Sequence, residues 1–514
     1  MREEILRMDR VTYQDGGVTE LHQFCLDVYA GDILGLIPVN DTGLVSLLRL
    51  LRQNLPLHYG SVYYRGRRVN RWQQADLSYN RIAVIQPKSG LAADLTVADN
   101  VFVMRHGFRK HIISRRILKK QLEPFLQEIG LHLSADTPVR DLSPYHRLVT
   151  EIVKAVVADC RLIVLVEPGT VIGEERLSQL HQIMRYYAQK GFAFLYVSLH
   201  YEETQQICSR AALMLNGQIT KTVFTSEVSP ALLRYYGMEK YRELVHLKDV
   251  SHIQNDAANP ALEWRDLRCG RIRGLSLRVA PGECVVVQDL NNHIFDDLIR
   301  VMSGQCQPDG GRILLGGKLY TRRRKREVAV VDKLPMESML FPQMSYMDNL
   351  CFDMDHILPE IWRLPRTRRS IRREWAPRLG NAFDLSVEEL SRSQKYDLIY
   401  TRVLLQRPKA VVCVQPFMHA DMEHRLHIWT LIDELLKKGV AVIILAVNLA
   451  DGLALADRLV RIRHGRIAEE YARAEFGSLS APAPLANLVG RVVKAGKTRC
   501  EGRMDKPGLR GHRR

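Results

Sequence analysis

No run of apolar residues in this sequence approaches the roughly 18 that a membrane-spanning helix needs. The long ones, such as those at residues 162–166 and 440–447, have the length of buried strands. No secretory leader is expected either. Charge alternates with apolar residues over its first ten positions, with no hydrophobic segment for a secretion signal, so the chain is expected to stay on the side of the membrane where it is made. Nine cysteines, at positions 25, 160, 208, 269, 284, 306, 351, 413 and 500, contain no CxxC pair. That argues against a metal site or a disulfide framework and for reduced thiols. Acid is in deficit: 57 Asp and Glu stand against 74 Lys and Arg, a net charge of +17. Core-forming residues are not, since 46% hydrophobic and 25% charged residues exclude global disorder. The surplus positive charge must therefore lie on surfaces. At roughly 150 residues per compact unit, 514 residues suggest about three such units.

What the sequence does contain is a repeat of itself. Residues 31–37 return at 282–288, 95–102 at 344–351, 163–168 at 411–416 and 216–219 at 464–467. Four blocks in one order, shifted by 251 residues at the first and 248 at the last two, imply a duplicated domain.

Within each copy strands and helices alternate. Residues 162–166 read as a strand buried on both faces, 177–187 carry helical spacing, and 192–197 form another buried strand; 410–414, 427–436 and 440–446 repeat that order. The grammar predicts an α/β fold with a parallel sheet in each copy. The expected division is a first domain over 1–222, a linker over 223–258 with one amphipathic stretch at 232–247, a second domain over 259–473, and a tail over 474–514. From 491 to 514 nine Lys or Arg face only Glu501 and Asp505, a net of +7, and the tail reads as disordered, with anionic lipid or RNA as its expected contact.

The blocks resemble a known family, the tandem ATP-binding subunits of bacterial ABC importers of monosaccharides of the ribose, galactose and xylose type. Residues 136–143 followed by 151–155 are similar to that family's approach to its signature helix. Gln86, at the end of the strand 82–85 and before residues 95–102, looks like its Q-loop glutamine. Residues 398–409 and 455–459 are similar to its second domain. The likeness runs from about residue 4 to 470 and implies two tandem ABC-type, P-loop NTPase-like domains, each with a parallel sheet core and a helical subdomain. It also implies ATP and Mg²⁺ as ligands, integral-membrane permease subunits as partners, an extracellular sugar-binding protein beyond them, and a peripheral position on the inner face of the cell membrane.

The phosphate loops depart from the family. Such a loop wraps phosphate in backbone N–H groups, adds a Lys, and holds Mg²⁺ through a Ser or Thr. Here Pro38, Val39, Asn40, Asp41, Thr42, Gly43, Leu44, Val45 and Ser46 keep one glycine, with Leu44 in the lysine's place and Val45 in that of the Mg²⁺ ligand. In the second copy Phe295 stands at the lysine position, followed by Asp296 and Asp297, whose charge is expected to repel phosphate. The strands that should end in Asp-Glu end in Val166-Glu167 and Val414-Gln415. The switch histidine aligns with Leu199, His200 coming one place late, and with the neighbourhood of Asn448. The signature glycines are gone from 142–146 and 390–394, though Ser143 and Ser391 remain.

The residues that the resemblance assigns to a first, less damaged site are Tyr13 for adenine, Asn40, Asp41, Thr42, Gly43, Ser46, Gln86 and Ser391 for nucleotide, and Glu167 as general base, with no metal ligand. Against Glu167 and Gln86 stand ordinary readings, a remnant carboxylate at a strand end and a polar loop residue. The expectation is a degenerate ABC subunit or regulator at a permease, with weak or absent ATP and Mg²⁺ binding and negligible hydrolysis. Two alternatives stand beside it: an active sugar-importer ATPase with divergent loops, and a soluble ABC-type factor on the ribosome or nucleic acid, which the +17 charge invites.

Overall fold

The computed structural model describes residues 2–40, 42–70, 82–103, 114–199, 201–227, 260–290, 294–352, 364–379, 382–418, 420–447, 452–453 and 455–478. Asp41, His200, Asn448, the loop 291–293, residues 228–259 of the expected linker region and residues 479–514 of the tail lie outside the described residues.

Among the described residues the first half has ten strands: β1 (Glu4–Asp15), β2 (Val18–Tyr29), β3 (Ile33–Pro38), β4 (Tyr59–Tyr64), β5 (Arg67–Arg68), β6 (Ile82–Ile85), β7 (Leu162–Val166), β8 (Ala193–Val197), β9 (Arg210–Leu215) and β10 (Gln218–Phe224). A four-stranded sheet runs β2-β1-β4-β5 and a six-stranded sheet runs β10-β9-β3-β8-β7-β6. The latter is parallel from β9 through β6 and closes with an antiparallel β9–β10 hairpin.

The second half repeats this with β11 (Leu262–Cys269), β12 (Ile272–Val279), β13 (Cys284–Asp289), β14 (Gly310–Leu315), β15 (Lys318–Leu319), β16 (Val328–Val331), β17 (Ala410–Val414), β18 (Ala441–Ala446), β19 (Arg458–Arg463) and β20 (Arg466–Ala472). Its sheets run β12-β11-β14-β15 and β16-β17-β18-β13-β19-β20, so each strand occupies the place of its counterpart. Every side chain of β7 and β17 is buried, as a sheet covered on both faces requires.

Helices fill the crossovers: α1 (Leu44–Gln53), α2 (Val97–Phe102), α3 (Arg115–Glu128), α4 (Pro144–Val157), α5 (Glu174–Gln189) and α6 (Tyr201–Ile207), then α7 (Phe295–Met302), α8 (Pro335–Ser338), α9 (Tyr346–Cys351), α10 (Leu364–Leu379), α11 (Arg392–Leu405) and α12 (Met422–Lys437). The duplication extends to single hydrogen bonds. Thr96 caps α2 by accepting from the Asp99 N–H at 3.2 Å, and Ser345 caps α9 from the Asp348 N–H at 3.1 Å. Asn100 and Asn349, both buried, each donate into the loop before their helix, to Ala92 O at 3.1 Å and Phe341 O at 3.0 Å. A buried amide needs such partners, so the same residue recurs in both copies.

The two halves meet where the loop after β7 touches the loops after β13 and β17. Gln415 Nε2 donates to Thr170 O across the halves at 3.0 Å. Gly173 lies so close to the second half that a Cβ there would sit 2.4 Å from Leu290 O.

Candidate nucleotide sites

Parallel α/β sheets bind ligands at the carboxyl ends of their strands. In the first half β3 ends at Pro38 and α1 begins after Gly43, which is left-handed at φ 80°. A Cβ on Gly43 would fall 2.3 Å from Glu20 O, so packing against β2 already demands glycine there. Asn40 exchanges hydrogen bonds with Asn216, its Nδ2 donating at 2.6 Å and its Oδ1 accepting from the Asn216 N–H at 3.0 Å. Thr42 is exposed, Ser46 is buried, and Val45 is 67% exposed. Tyr13 is buried in the core of the first half, its ring edge-on to His58 at 6.2 Å. That ring does not lie open for stacking.

Glu167 leaves β7 at φ 49°, and Gln415 leaves β17 at φ 43°. Side chains rarely adopt this left-handed region, and here both copies hold it. Glu167 is 5% exposed, and its Oε1 accepts the Leu199 N–H at 2.7 Å, the amide of the residue in the switch-histidine position. Gln86 accepts from Arg52 of α1 at 3.0 Å. The segment after it is gripped by Glu151 of α4, which takes the Ser89 hydroxyl and the Gly90 N–H, and burial pushes the Glu151 carboxyl above its usual range.

Both signature serines are helix caps. Ser143 Oγ accepts the His146 N–H at 3.3 Å and meets His146 Nδ1 at 2.8 Å. Ser391 Oγ accepts from Gln394 N–H at 3.2 Å while Gln394 Oε1 takes the Ser391 N–H at 2.8 Å, a reciprocal capping box. The structure thus brings Asn40 to Asn216, Gln86 to Arg52, Ser391 to Gln394 and Glu167 to Leu199.

In the second half Asp289, at the end of β13, is 1% exposed. Its Oδ2 accepts the Ile294 N–H at 2.9 Å at the start of α7. Asp296 and Asp297 were the expected repelling pair, but Asp296 is exposed and Asp297 turns away to accept the Arg271 N–H at 2.8 Å. Phe295 is buried in the core beneath the first residues of α7. The sequence signal for Asp289 was its position: it ends β13 at the point where Pro38 ends β3.

Comparison with known proteins decides the wider family. The ABC transporter family model matches residues 21–170. The ribose import ATP-binding protein RbsA 3 of Rhizobium meliloti (strain 1021) is 25% identical over 513 residues, 96% of this chain and 97% of its own. The arabinose import ATP-binding protein AraG 2 of Burkholderia ambifaria is 27% identical over 484 residues, 92% of each chain. In sequence the chain resembles the tandem ABC proteins. It is homologous to sugar-import ATP-binding subunits over most of its length. Among solved structures, that of ribosome-bound archaeal Pelota and ABCE1 covers 91% of this chain and 79% of its own, at 15% identity and a TM-score of 0.59. The archaeal ribosome recycling factor aABCE1, in complex with the stalk protein aP1, covers 91% and 90% at a TM-score of 0.56. At that identity the likeness is one of fold.

The chain's loops do not fit the Mg²⁺ that such a fold implies. Val45 and Val166 stand where its oxygen ligands belong, and an aliphatic side chain supplies none. Leu44 brings no charge to the start of α1, and the start of α7 already holds a carboxylate.

Proposed function

We propose that the chain is a non-hydrolysing ABC subunit or regulator that docks on the membrane permease of a sugar-type importer, peripheral on the inner face of the membrane, with an extracellular sugar-binding protein reached through that permease. One observation carries this reading: the helix ends that cradle phosphate in such folds have lost their cation in both halves, and one already holds an internal anion. Phosphoryl transfer depends on positioning and on positive charge around the moving phosphate. Glu167, whose carboxylate is engaged by the Leu199 amide, supplies neither.

What remains well formed is the apparatus that would meet a partner. The capped helix α2, with α3 and α4 packed on it, forms one cluster around Val97, Val101, Leu118, Leu122 and Val149, and Ile85, the residue before Gln86, belongs to it. Glu151 ties the segment after Gln86 to the signature helix. Gln86 is assigned the role of a transmission residue at the permease, which requires no hydrolysis. The unit boundaries proposed are 1–222, 223–258, 259–473 and 474–514.

Affinity capture of the tagged full chain from detergent-solubilised membranes tests the docking. A polytopic protein should be recovered, and recovery should fall when Gln86 or Leu95 is changed to Ala. A set of exclusively soluble partners, ribosomal ones included, would contradict the reading.

A further inference from the structure

The helix α10 has two faces of different character. Ile371 is 4% exposed, and Trp375 packs partly buried against the same core. On that side Arg368 reaches Asp348 at 2.8 Å and Arg372 reaches Asp384 at 2.5 Å. Arg366, Arg369 and Arg373 follow one another at i, i+3 and i+7, which places them in one stripe on the opposite face. All three are exposed. Arg369 Nε donates only to the backbone O of Pro365, at 3.4 Å, and among the described residues no carboxylate pairs with any of the three. The stripe spans about 10 Å at 1.5 Å per residue. Like charges so aligned repel one another unless a surface of opposite charge meets them.

The equivalent helix of the first half is basic at the same place in the fold: Arg115, Arg116, Lys119 and Lys120 are exposed in its first two turns. Nothing about packing asks for this repetition, since the inward sides of α3 and α10 are supplied by Leu118, Leu122 and Leu126, and by Ile371 and Trp375.

We infer that the Arg366–Arg369–Arg373 face of α10 is a docking surface for the anionic phospholipid headgroups of a membrane. Guanidinium groups pair with phosphate through planar, charge-assisted hydrogen bonds. The choice of lipid over RNA rests on what accompanies the charge. Single-stranded RNA is held by aromatic platforms between basic groups, and the residue within this stripe is Ser370, while Trp375 is turned inward. Because the apolar side of α10 is spent on the protein's own core, the contact is electrostatic and superficial, without insertion into the acyl region. It does not depend on a permease.

Co-sedimentation of the full chain with phosphatidylglycerol and with phosphatidylcholine vesicles tests this. Each basic residue near an anionic surface contributes about 1 kcal/mol, so the triple variant Arg366→Gln, Arg369→Gln, Arg373→Gln should partition about a hundredfold more weakly into the anionic vesicles. The triple Arg→Lys variant should keep most of the binding. A control that removes equal charge elsewhere, Arg323→Gln, Lys325→Gln, Arg326→Gln, should change it less than threefold. Unfolding curves superimposable with the parent show that the variants are folded. Equal binding by parent and stripe variant, an equal loss in the control, or no preference for phosphatidylglycerol would overturn the assignment. Stripe-dependent capture by single-stranded RNA that displaces the vesicles would make the surface a nucleic-acid contact instead.

Discussion

Asp289 Oδ2 accepts the backbone N–H of Ile294 at 2.9 Å, so the helix end that would receive a phosphate in the second half is held by a carboxylate of the chain itself. The first amides of a helix lack intrahelical partners and carry partial positive charge, which makes them the natural seat of an anion. With Asp289 buried there, a nucleotide phosphate would have to displace a bonded carboxylate and then endure its charge.

Asp289→Ala should therefore destabilise the protein by about 1–2 kcal/mol, the usual cost of losing a helix cap, whereas Asp289→Asn, which keeps an accepting oxygen, should cost less than half of that. Urea unfolding of the full chain reads both. Equal midpoints for Asp289→Ala and the parent would show that the contact contributes nothing.

The contact between the halves gives a second expectation. A Cβ at position 173 would come within 2.4 Å of Leu290 O, a backbone atom that cannot swing aside. Gly173→Ala should separate the loop after β7 from the loop after β13 and destabilise by about 1–3 kcal/mol, the usual scale of overpacking. Hydrogen exchange should rise at 170–173 and around Leu290 together. Faster exchange at one loop alone would mean that the halves do not meet there.

His181 predicts a pH dependence. It is 3% exposed, its Nε2 lies 3.4 Å from Tyr196 Oη, and Tyr196 donates to Glu203 at 3.0 Å. Burial, with a smaller effect of Arg185, lowers its pKa from 6.5 to about 4. The unfolded chain takes up a proton near pH 6.5 that the folded chain refuses until about pH 4, so stability contributed at neutral pH is lost as pH falls through that window, by up to about 3 kcal/mol. In His181→Gln this part of the acid loss should vanish. An unchanged slope between pH 7 and 5 would contradict it.

Much of the fold was legible because buried parallel strands announce themselves. The runs at 162–166 and 410–414 coincide with β7 and β17, and the repeated blocks fall at matched places in both halves, the pair 95–102 and 344–351 on the helices α2 and α9. The antiparallel sheets were not: β1 and β2 alternate buried and exposed residues irregularly, with register shifts at several points, and a parallel-sheet grammar has no place for them. At the sites, the sequence reading rested on the absent cations and singled out Asp296 and Asp297 but not Asp289. Asp296 and Asp297 sit on the helix where phosphate chemistry would put them, yet the first turn of a helix points its side chains outward and sideways, and the carboxylate that meets the amide comes from the strand end, Asp289. That Ser143 and Ser391 survive is accounted for by capping, a local requirement that remains when nucleotide chemistry does not.

Restoring the lost groups should restore affinity. Leu44→Lys, Val45→Ser and Val166→Asp together return one cation and two oxygen ligands to the first site, and should tighten Mg-ATP binding by at least a hundredfold, since each charge-assisted hydrogen bond is worth roughly 1.5–3 kcal/mol and about 1.4 kcal/mol is tenfold. A folded triple variant with unchanged affinity would show that the deficit lies elsewhere.

The most direct test of the account is a calorimetric titration of the unaltered full chain with Mg-ATP. With Leu44 and Val45 at the start of α1 and Asp289 on the Ile294 amide of the second loop, no saturable heat is expected below about 1 mM, since two missing charge-assisted contacts weaken binding by roughly two to four powers of ten from a micromolar site. Micromolar binding that requires Mg²⁺ would contradict the account and leave an active ATPase with divergent loops in its place.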